Sequence, residues 1–270
     1  MKFTFLGTSA AEGFPAVFCN CPYCREARNL GGKNIRTRSQ SLVNEDLLLD
    51  IPADTNHHFL MNGIEGDRIK YLFVTHSHED HFYPAELNMR YGCFAHDMRA
   101  PVLRMFCSRE TAEKLRSLYD AFQNVEVTVL EPYQTVVLPE YTVTALPGRH
   151  IPGTLLYVIR GKKTILYGHD TGYFYEEVFD FIEKQGFCFD MVTLDCTNVD
   201  IPIPDNGGHM GIPNIERVLR RLTDLGAVSE STVKYINHYS HNANPLQHIL
   251  DARAAQIGCL ASYDGCRVIL

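Results

Sequence analysis

Apolar positions along the chain fall into short runs of two kinds, alternating and helical, and the switch between them marks the elements. Lys2–Leu6 alternates like a first strand and stops at Gly7. Ser41–Ile51 alternates and then turns apolar throughout, and Ile69–Thr75 is a short buried run, so both predict strands. Helical spacing follows at Ala85–His96 and at Arg109–Gln123, where Ser108 offers an N-cap. The second half restarts with strands at Val125–Leu130, Tyr141–Leu146, Leu155–Arg160 and Thr164–Tyr167. A helix at Tyr175–Gln185 leads to a strand at Met191–Leu194, and one at Ile212–Leu225 to a strand at Val233–Ile236. The chain closes with a helix at Pro245–Gly258 and a strand at Cys266–Leu270. Strands first and helices later, twice over, predict an α/β protein: an αββα sandwich of two mixed sheets with helices outside. No repeat, low-complexity run or linker interrupts the pattern, so residues 1–270 read as a single domain.

Composition narrows the possibilities. The apolar share of 45% is that of a folded chain, and no apolar run approaches the ~18–20 residues of a membrane span. A net charge of -7 argues against an extended nucleic-acid surface, which needs a basic face, but leaves room for a small phosphorylated substrate. The N-terminal apolar stretch is too short for a signal peptide, and six of the nine cysteines are scattered. Both point to reduced thiols and a cytoplasmic protein.

One feature of the pattern carries chemistry. His76, Asp170, Asp195 and His238 each close a predicted strand, in YLFVTH, TILYGHD, MVTLD and VKYINH. Polar groups at several strand ends are the usual way an α/β sheet builds a cleft. The first of these ends opens His76-Ser77-His78-Glu79-Asp80-His81, four good ligands within six residues. That spacing suits two ions, the first two histidines on one and Asp80 with His81 turned toward another; imidazole with carboxylate suits zinc, manganese or iron. A second cluster, Cys19-Asn20-Cys21-Pro22-Tyr23-Cys24, lies in a loop spanning about 13–30. Three thiols in one turn close around a zinc when a fourth ligand is supplied, and His241 is the natural donor. A disulfide and free core thiols are the alternatives.

On these residues the chain resembles the metallo-β-lactamase superfamily along essentially its whole length. The resemblance implies a first ion held by His76, His78 and His150, a second held by Asp80, His81 and His238, and Asp170 bridging them. His78 stands where di-iron members that reduce oxygen or nitric oxide carry a glutamate, which favours hydrolysis. Gly7-Thr8, Gly13-Phe14-Pro15-Ala16, the cysteine cluster and His238-x-x-His241 narrow the resemblance to the phosphoribosyl 1,2-cyclic phosphate phosphodiesterases. That family implies a structural zinc on Cys19, Cys21, Cys24 and His241, two active-site manganese or zinc ions, and a homodimer. It also implies that His209, in Asn206-Gly207-Gly208-His209-Met210, acts near the leaving group, with Asp80 orienting the attacking water. Ile151–Thr154, the surroundings of His209 and Phe82–Arg104 depart from that family's pattern. Asp195 reads equally as an orienting partner of a ligand or as a sheet-end hydrogen-bonding group. His169 reads as structural or as support for a ligand, and His57, His58, His96 and His248 as surface or packing residues.

The expected function is therefore a metal-dependent phosphodiesterase on a small phosphate ester, possible cyclic esters included. Transfer RNA 3' processing and thioester or lactam hydrolysis on the same scaffold are the alternative enzymes. A non-enzymatic zinc-stabilised binding module is disfavoured, because every ligand position is filled.

Overall fold

Alternation along the strands sorts their side chains into three apolar layers. The computed structural model describes residues 1–118 and 124–270. The first sheet contains β1 (Lys2–Gly7), β2 (Gln40–Val43), β3 (Leu47–Leu49), β4 (Tyr71–Phe73), β5 (Leu103–Cys107) and β6 (Val125–Val129). The second contains β7 (Thr135–Val137), β8 (Thr142–Pro147), β9 (Leu155–Arg160), β10 (Thr164–Gly168), β11 (Met191–Asp195), β12 (Val233–Asn237) and β13 (Leu260–Ala261). The last strand, β14 (Arg267–Ile269), returns to the first sheet, giving orders β14-β1-β2-β3-β4-β5-β6 and β13-β12-β11-β10-β9-β8-β7. Each sheet is half antiparallel and half parallel.

In β4, Tyr71 and Phe73 face the space between the sheets while Leu72 faces outward. In β10, Ile165 and Tyr167 face inward and Leu166 outward. A strand covered on both faces has no polar side, which is why these segments read as continuous apolar runs. The helices α1 (Pro22–Leu30), α2 (Thr55–Asn62), α3 (Arg109–Leu118), α4 (Glu176–Gln185), α5 (Ile212–Asp224) and α6 (Gln247–Gln256) connect the strands. The outer face of the second sheet is covered by Val178, Phe179 and Ile182 of α4, Ile215, Val218 and Leu222 of α5, and Leu250 of α6. This is the αββα arrangement the pattern predicts.

The differences are local. Ser41–Ile51 is a hairpin rather than one strand, because the chain turns at Asn44, whose φ of 52° lies in the left-handed region that asparagine tolerates. The expected helix Ala85–His96 is a 3-10 segment, Pro84–Arg90, that buries only Pro84 and Leu87 and ends before Gly92. The expected helix from Arg109 holds as far as Leu118, with Ser108 Oγ accepting from the Thr111 amide at 3.3 Å; positions 119–123 lie outside the described residues. Helix α1 occupies a stretch read as loop, and α2, β7 and β13 have no counterpart in the sequence reading. Among the described residues no helix is long and apolar enough to cross a membrane.

Candidate metal centre

Register places the polar residues. In the first sheet, β3 and β4 are parallel with Leu49 opposite Phe73, so Asp50 and Thr75-His76 emerge side by side. In the second, Gly168 lies opposite Leu194 and Asp195 opposite Asn237, so Asp170, Asp195 and His238 leave three parallel strands together. β8 is antiparallel to β9, which is antiparallel to β10, so β8 runs with β10 and delivers His150 to the same end. A ligand site at the carboxyl ends of parallel strands is the general rule for α/β sheets. Three of these residues also hold left-handed backbone: Asp50, Asp170 and His238 have φ of 65°, 53° and 64°. Such conformations in non-glycine residues cost energy and concentrate at functional sites.

Two donor groups result. In the first, His78 Nδ1 lies 3.0 Å from both His76 Nε2 and His150 Nε2, and Asp170 Oδ2 lies 3.1 Å from His76 Nε2. In the second, His81 Nε2 lies 3.2 Å from His238 Nε2, 3.6 Å from Asp80 Oδ2 and 3.1 Å from Asp170 Oδ2. Asp170 belongs to both. The structure thus brings together every dinuclear-site residue expected from the sequence.

The far nitrogens decide which lone pairs face the centre. His81 Nδ1 lies 2.7 Å from Asp50 Oδ2, His150 Nδ1 lies 3.1 Å from the Gly208 carbonyl, and His238 Nδ1 lies 2.8 Å from Thr197 Oγ1. Donating these protons to oxygen leaves each Nε2 as an acceptor turned inward. Two such acceptors, His81 Nε2 and His238 Nε2, meet at 3.2 Å and repel unless a cation lies between them. Asp170 Oδ1 gives the same indication: it is buried with no hydrogen-bond partner among the described residues. His209 Nδ1 is 2.9 Å from it but out of line for a hydrogen bond. The donor set therefore fits divalent metal ions.

Charge follows the same geometry. Burial opposes charge on His81, but without a cation in the second donor group the Asp50, Asp80 and Asp170 carboxylates would outweigh it and lift its pKa well above the usual imidazole range. A bound ion would take the place of that extra proton. Burial likewise opposes charge on Asp170, and His238 and His76 hold it well below the usual carboxylate range.

His209 sits against this centre, its Nδ1 3.1 Å from Asp195 Oδ2 and 3.2 Å from Thr197 Oγ1. Burial disfavours its imidazolium, but Asp195 and Asp170 outweigh it and raise the pKa to about 11. Asp170, Asp195, His209 and His238 form a further overlapping group of possible donors. Asp195 is fully buried, accepts from the amides of Thr197 and Met210, and so anchors both His209 and the Thr197 that faces His238. His169 is buried behind the centre, bonded to Thr193 Oγ1 at 2.6 Å and lying against Tyr167 and Phe5, a structural placement. Sequence reasoning missed Asp50 and Thr197. The signal for Asp50 was an acidic residue ending an apolar run, LLLD, next to the strand that leads to His76.

Cys19, Cys21, Cys24 and His241 also converge. His241 Nδ1 lies 3.7 Å from Cys24 Sγ and 4.0 Å from Cys21 Sγ. Backbone amides point at the sulfurs: Ala16 to Cys24, Cys24 to Cys21 and Cys21 to Cys19, each at 3.4 Å. Pro22 opens α1 and Cys21 caps it, so the helix N-terminus faces the thiol cluster. Burial pushes the Cys21 thiol up, but the Cys24 amide and His241 outweigh it and hold the pKa at about 6. Glu12 Oε1 accepts from the His241 amide and from Ser240 Oγ, fixing the turn that carries His241. All nine cysteines are unpaired in this structure.

A model of the beta-lactamase superfamily domain matches residues 52–239. A search of curated protein sequences finds no significant match. Among solved structures, a diphosphatase from the PhnP family is similar at 18% identity and a TM-score of 0.75, over 100% of this chain and 97% of that one. Zn2+-bound PqqB from Methylobacterium extorquens is similar at 17% identity and a TM-score of 0.75, over 100% of both chains. The short form of human tRNase Z is similar at 16% identity and a TM-score of 0.68, over 100% of this chain and 99% of that one.

Proposed function

From the premise that this chain belongs to the beta-lactamase superfamily and is a metal-dependent hydrolase, we propose that it cleaves small phosphodiesters, cyclic ones included. The observation that carries the reading is Asp170, one carboxylate shared by two donor groups. Two ions held on a common ligand suit in-line displacement at phosphorus, where attacking and leaving oxygens both need charge neutralised. Donor chemistry assigns zinc or manganese to this pair, held by His76, His78, His150, Asp80, His81, His238 and Asp170, and zinc to the cysteine cluster with His241. When bound, the pair supplies Lewis acidity and makes water acidic enough to react at neutral pH.

The chain's own residues supply the rest. Asp80 is buried beside His81, and the carboxylate that would hold the second ion would also orient a water there. His209 Nδ1 is tied to Asp195, and among the described residues its Nε2 has no protein partner. Its side chain is 30% exposed, open enough to reach a leaving alkoxide and return a proton. The overall charge of -7 disfavours long RNA as substrate.

The test is hydrolysis of bis(4-nitrophenyl) phosphate, a thioester and a transfer RNA precursor by the metal-loaded protein. Turnover of the diester is the expected result, and turnover of the thioester alone would overturn the assignment.

A further inference from the structure

Three thiols within one turn of chain can do more than hold an ion. Cys21 caps α1, and Cys24 follows three residues on, with Pro22 and Tyr23 between them. The Cys24 amide points at Cys21 Sγ and the Ala16 amide at Cys24 Sγ, both at 3.4 Å. The sulfurs of Cys19, Cys21 and Cys24 lie within 4.8 Å of one another. Arg28 donates to the carbonyls of Ala16 and Cys19 at 3.2 and 2.8 Å, which fixes the loop and adds positive charge beside the thiols. Cys21 is half-buried and Cys24 is fully buried, while Val17 and Phe18 of the same loop stand out in solvent. The remaining cysteines differ. Cys107, Cys196, Cys259 and Cys266 are buried, and Cys93 and Cys188 are exposed outside any thiol cluster. The Cys188 sulfur faces the Gly186 and Gly226 carbonyls, which disfavour a thiolate, where the Cys21 sulfur receives an amide.

Amide donors, a helix N-terminus and partial exposure are the surroundings that make a cysteine reactive. A second thiol buried one turn further along the helix is placed to complete the reaction. We propose that Cys21 and Cys24 are a site of oxidative modification, a pair that hydroperoxides convert to a disulfide. Cys21 Sγ attacks one peroxide oxygen, the O–O bond breaks, and the departing oxygen takes a proton and leaves as water or an alcohol. Cys24 Sγ then attacks the Cys21 sulfur, the S–O bond breaks, and the second oxygen leaves as water. The two thiolates lose two electrons, the peroxide gains them, and solvent supplies two protons. Cys19 and His241 alone are too few donors for a structural zinc, so oxidation also expels that ion. Glu12 then holds the turn at Ser240 and His241 without the cluster behind it. The pair is independent of the phosphodiesterase reading, and only the release of the ion rests on assigning zinc to the cluster.

The experiment treats the metal-loaded full chain with hydrogen peroxide, beside a variant carrying Cys93→Ser and Cys188→Ser, which removes the two exposed thiols outside the cluster. Peptide mass spectrometry should show a Cys21–Cys24 disulfide forming at least ~10-fold faster than Cys93 or Cys188 is oxidised. A chromogenic chelator should detect one zinc per chain beyond what untreated protein yields, at the same rate in wild type and variant. A dithiol reductant with added zinc should restore both thiols and the ion. Cluster thiols that survive while Cys93 and Cys188 are oxidised overturn the proposal. So does a disulfide that uses Cys19 in place of Cys24, or a zinc release that the variant abolishes. A Cys21–Cys24 disulfide formed with no zinc leaving upholds the pair and sinks the zinc assignment alone.

Discussion

Asp50 Oδ2 lies 2.7 Å from Nδ1 of His81, and both side chains are completely buried. The other oxygen of Asp50 accepts from the amide and hydroxyl of Thr75, so one carboxylate ties the end of β3 to the turn that launches the histidine cluster. Its left-handed backbone is the cost of reaching that position. Carboxylates behind ligand histidines typically contribute about 10–100-fold in metal affinity. Asp50→Asn should therefore weaken the second ion by about 10-fold or more, measured by chelator competition, while the first ion is held nearly as before. Equal affinities in variant and wild type would refute the role given to Asp50.

His209 can be separated from the ligands by its effect on leaving groups. His209→Ala should retain two active-site ions and turn over 4-nitrophenyl esters with little change. Esters of alkyl alcohols, whose departing oxygen needs a proton, should slow by ~10²–10⁴-fold. Equal slowing of good and poor leaving groups would remove the general-acid role. Loss of one ion would instead make His209 a ligand, as its place in the overlapping donor group permits.

How far the site could be read beforehand followed from where its residues sit. His76, Asp170 and His238 were visible because each ends a strand buried on both faces, whose apolar run stops abruptly at a polar residue. Asp50 occupies the same kind of position but was hidden, since β2 and β3 merged into one apparent strand when the Asn44 turn went unseen. Thr197 and Gly208 lie in loops without periodicity, and what they do depends on where the second sheet puts them. Helix α1 was missed because it buries only Cys24 and Ala27 and is organised by the thiol cluster at its start.

The cysteine cluster should support the catalytic centre through the chain between His238 and His241. Tyr239 lies fully buried between them, and Glu12 holds the turn from the cluster side. Cys21→Ser should lower zinc content by one ion and reduce the melting temperature by about 10 °C, the shift expected from about 3 kcal/mol in a chain of this size. The dinuclear pair should still load, since none of its donors is changed. Purified wild type holding no metal beyond that pair would end the proposal.

His58 makes stability depend on pH apart from either metal site. It is buried, with Nδ1 2.6 Å from Gln40 Oε1 and Nε2 2.6 Å from Thr37 Oγ1. Gln40 Nε2 is committed to the Asp50 carbonyl and Thr55, so its Oε1 must accept and His58 Nδ1 donates. The titratable groups nearby are Asp54 at the start of its helix, His57 on it, and Asp264. Burial pushes the Asp264 carboxyl toward the protonated form, which donates to Thr37 Oγ1 and leaves the Thr37 proton to His58 Nε2. At His58 burial dominates, with Asp54 opposing and His57 assisting, and lowers its pKa to about 4. An unfolded histidine titrates near 6.5, so between those values the unfolded chain binds the extra proton. Stability from this group is complete above pH ~6.5 and falls as pH drops toward about 4. The total is about 3 kcal/mol, of which about 1 kcal/mol is lost between pH ~7.5 and ~5.5. Acid release of metal affects wild type and His58→Gln alike, so the difference between their urea-unfolding curves isolates the histidine. Wild type should lose stability more steeply over that interval, and parallel pH profiles would show that His58 is not held neutral by burial.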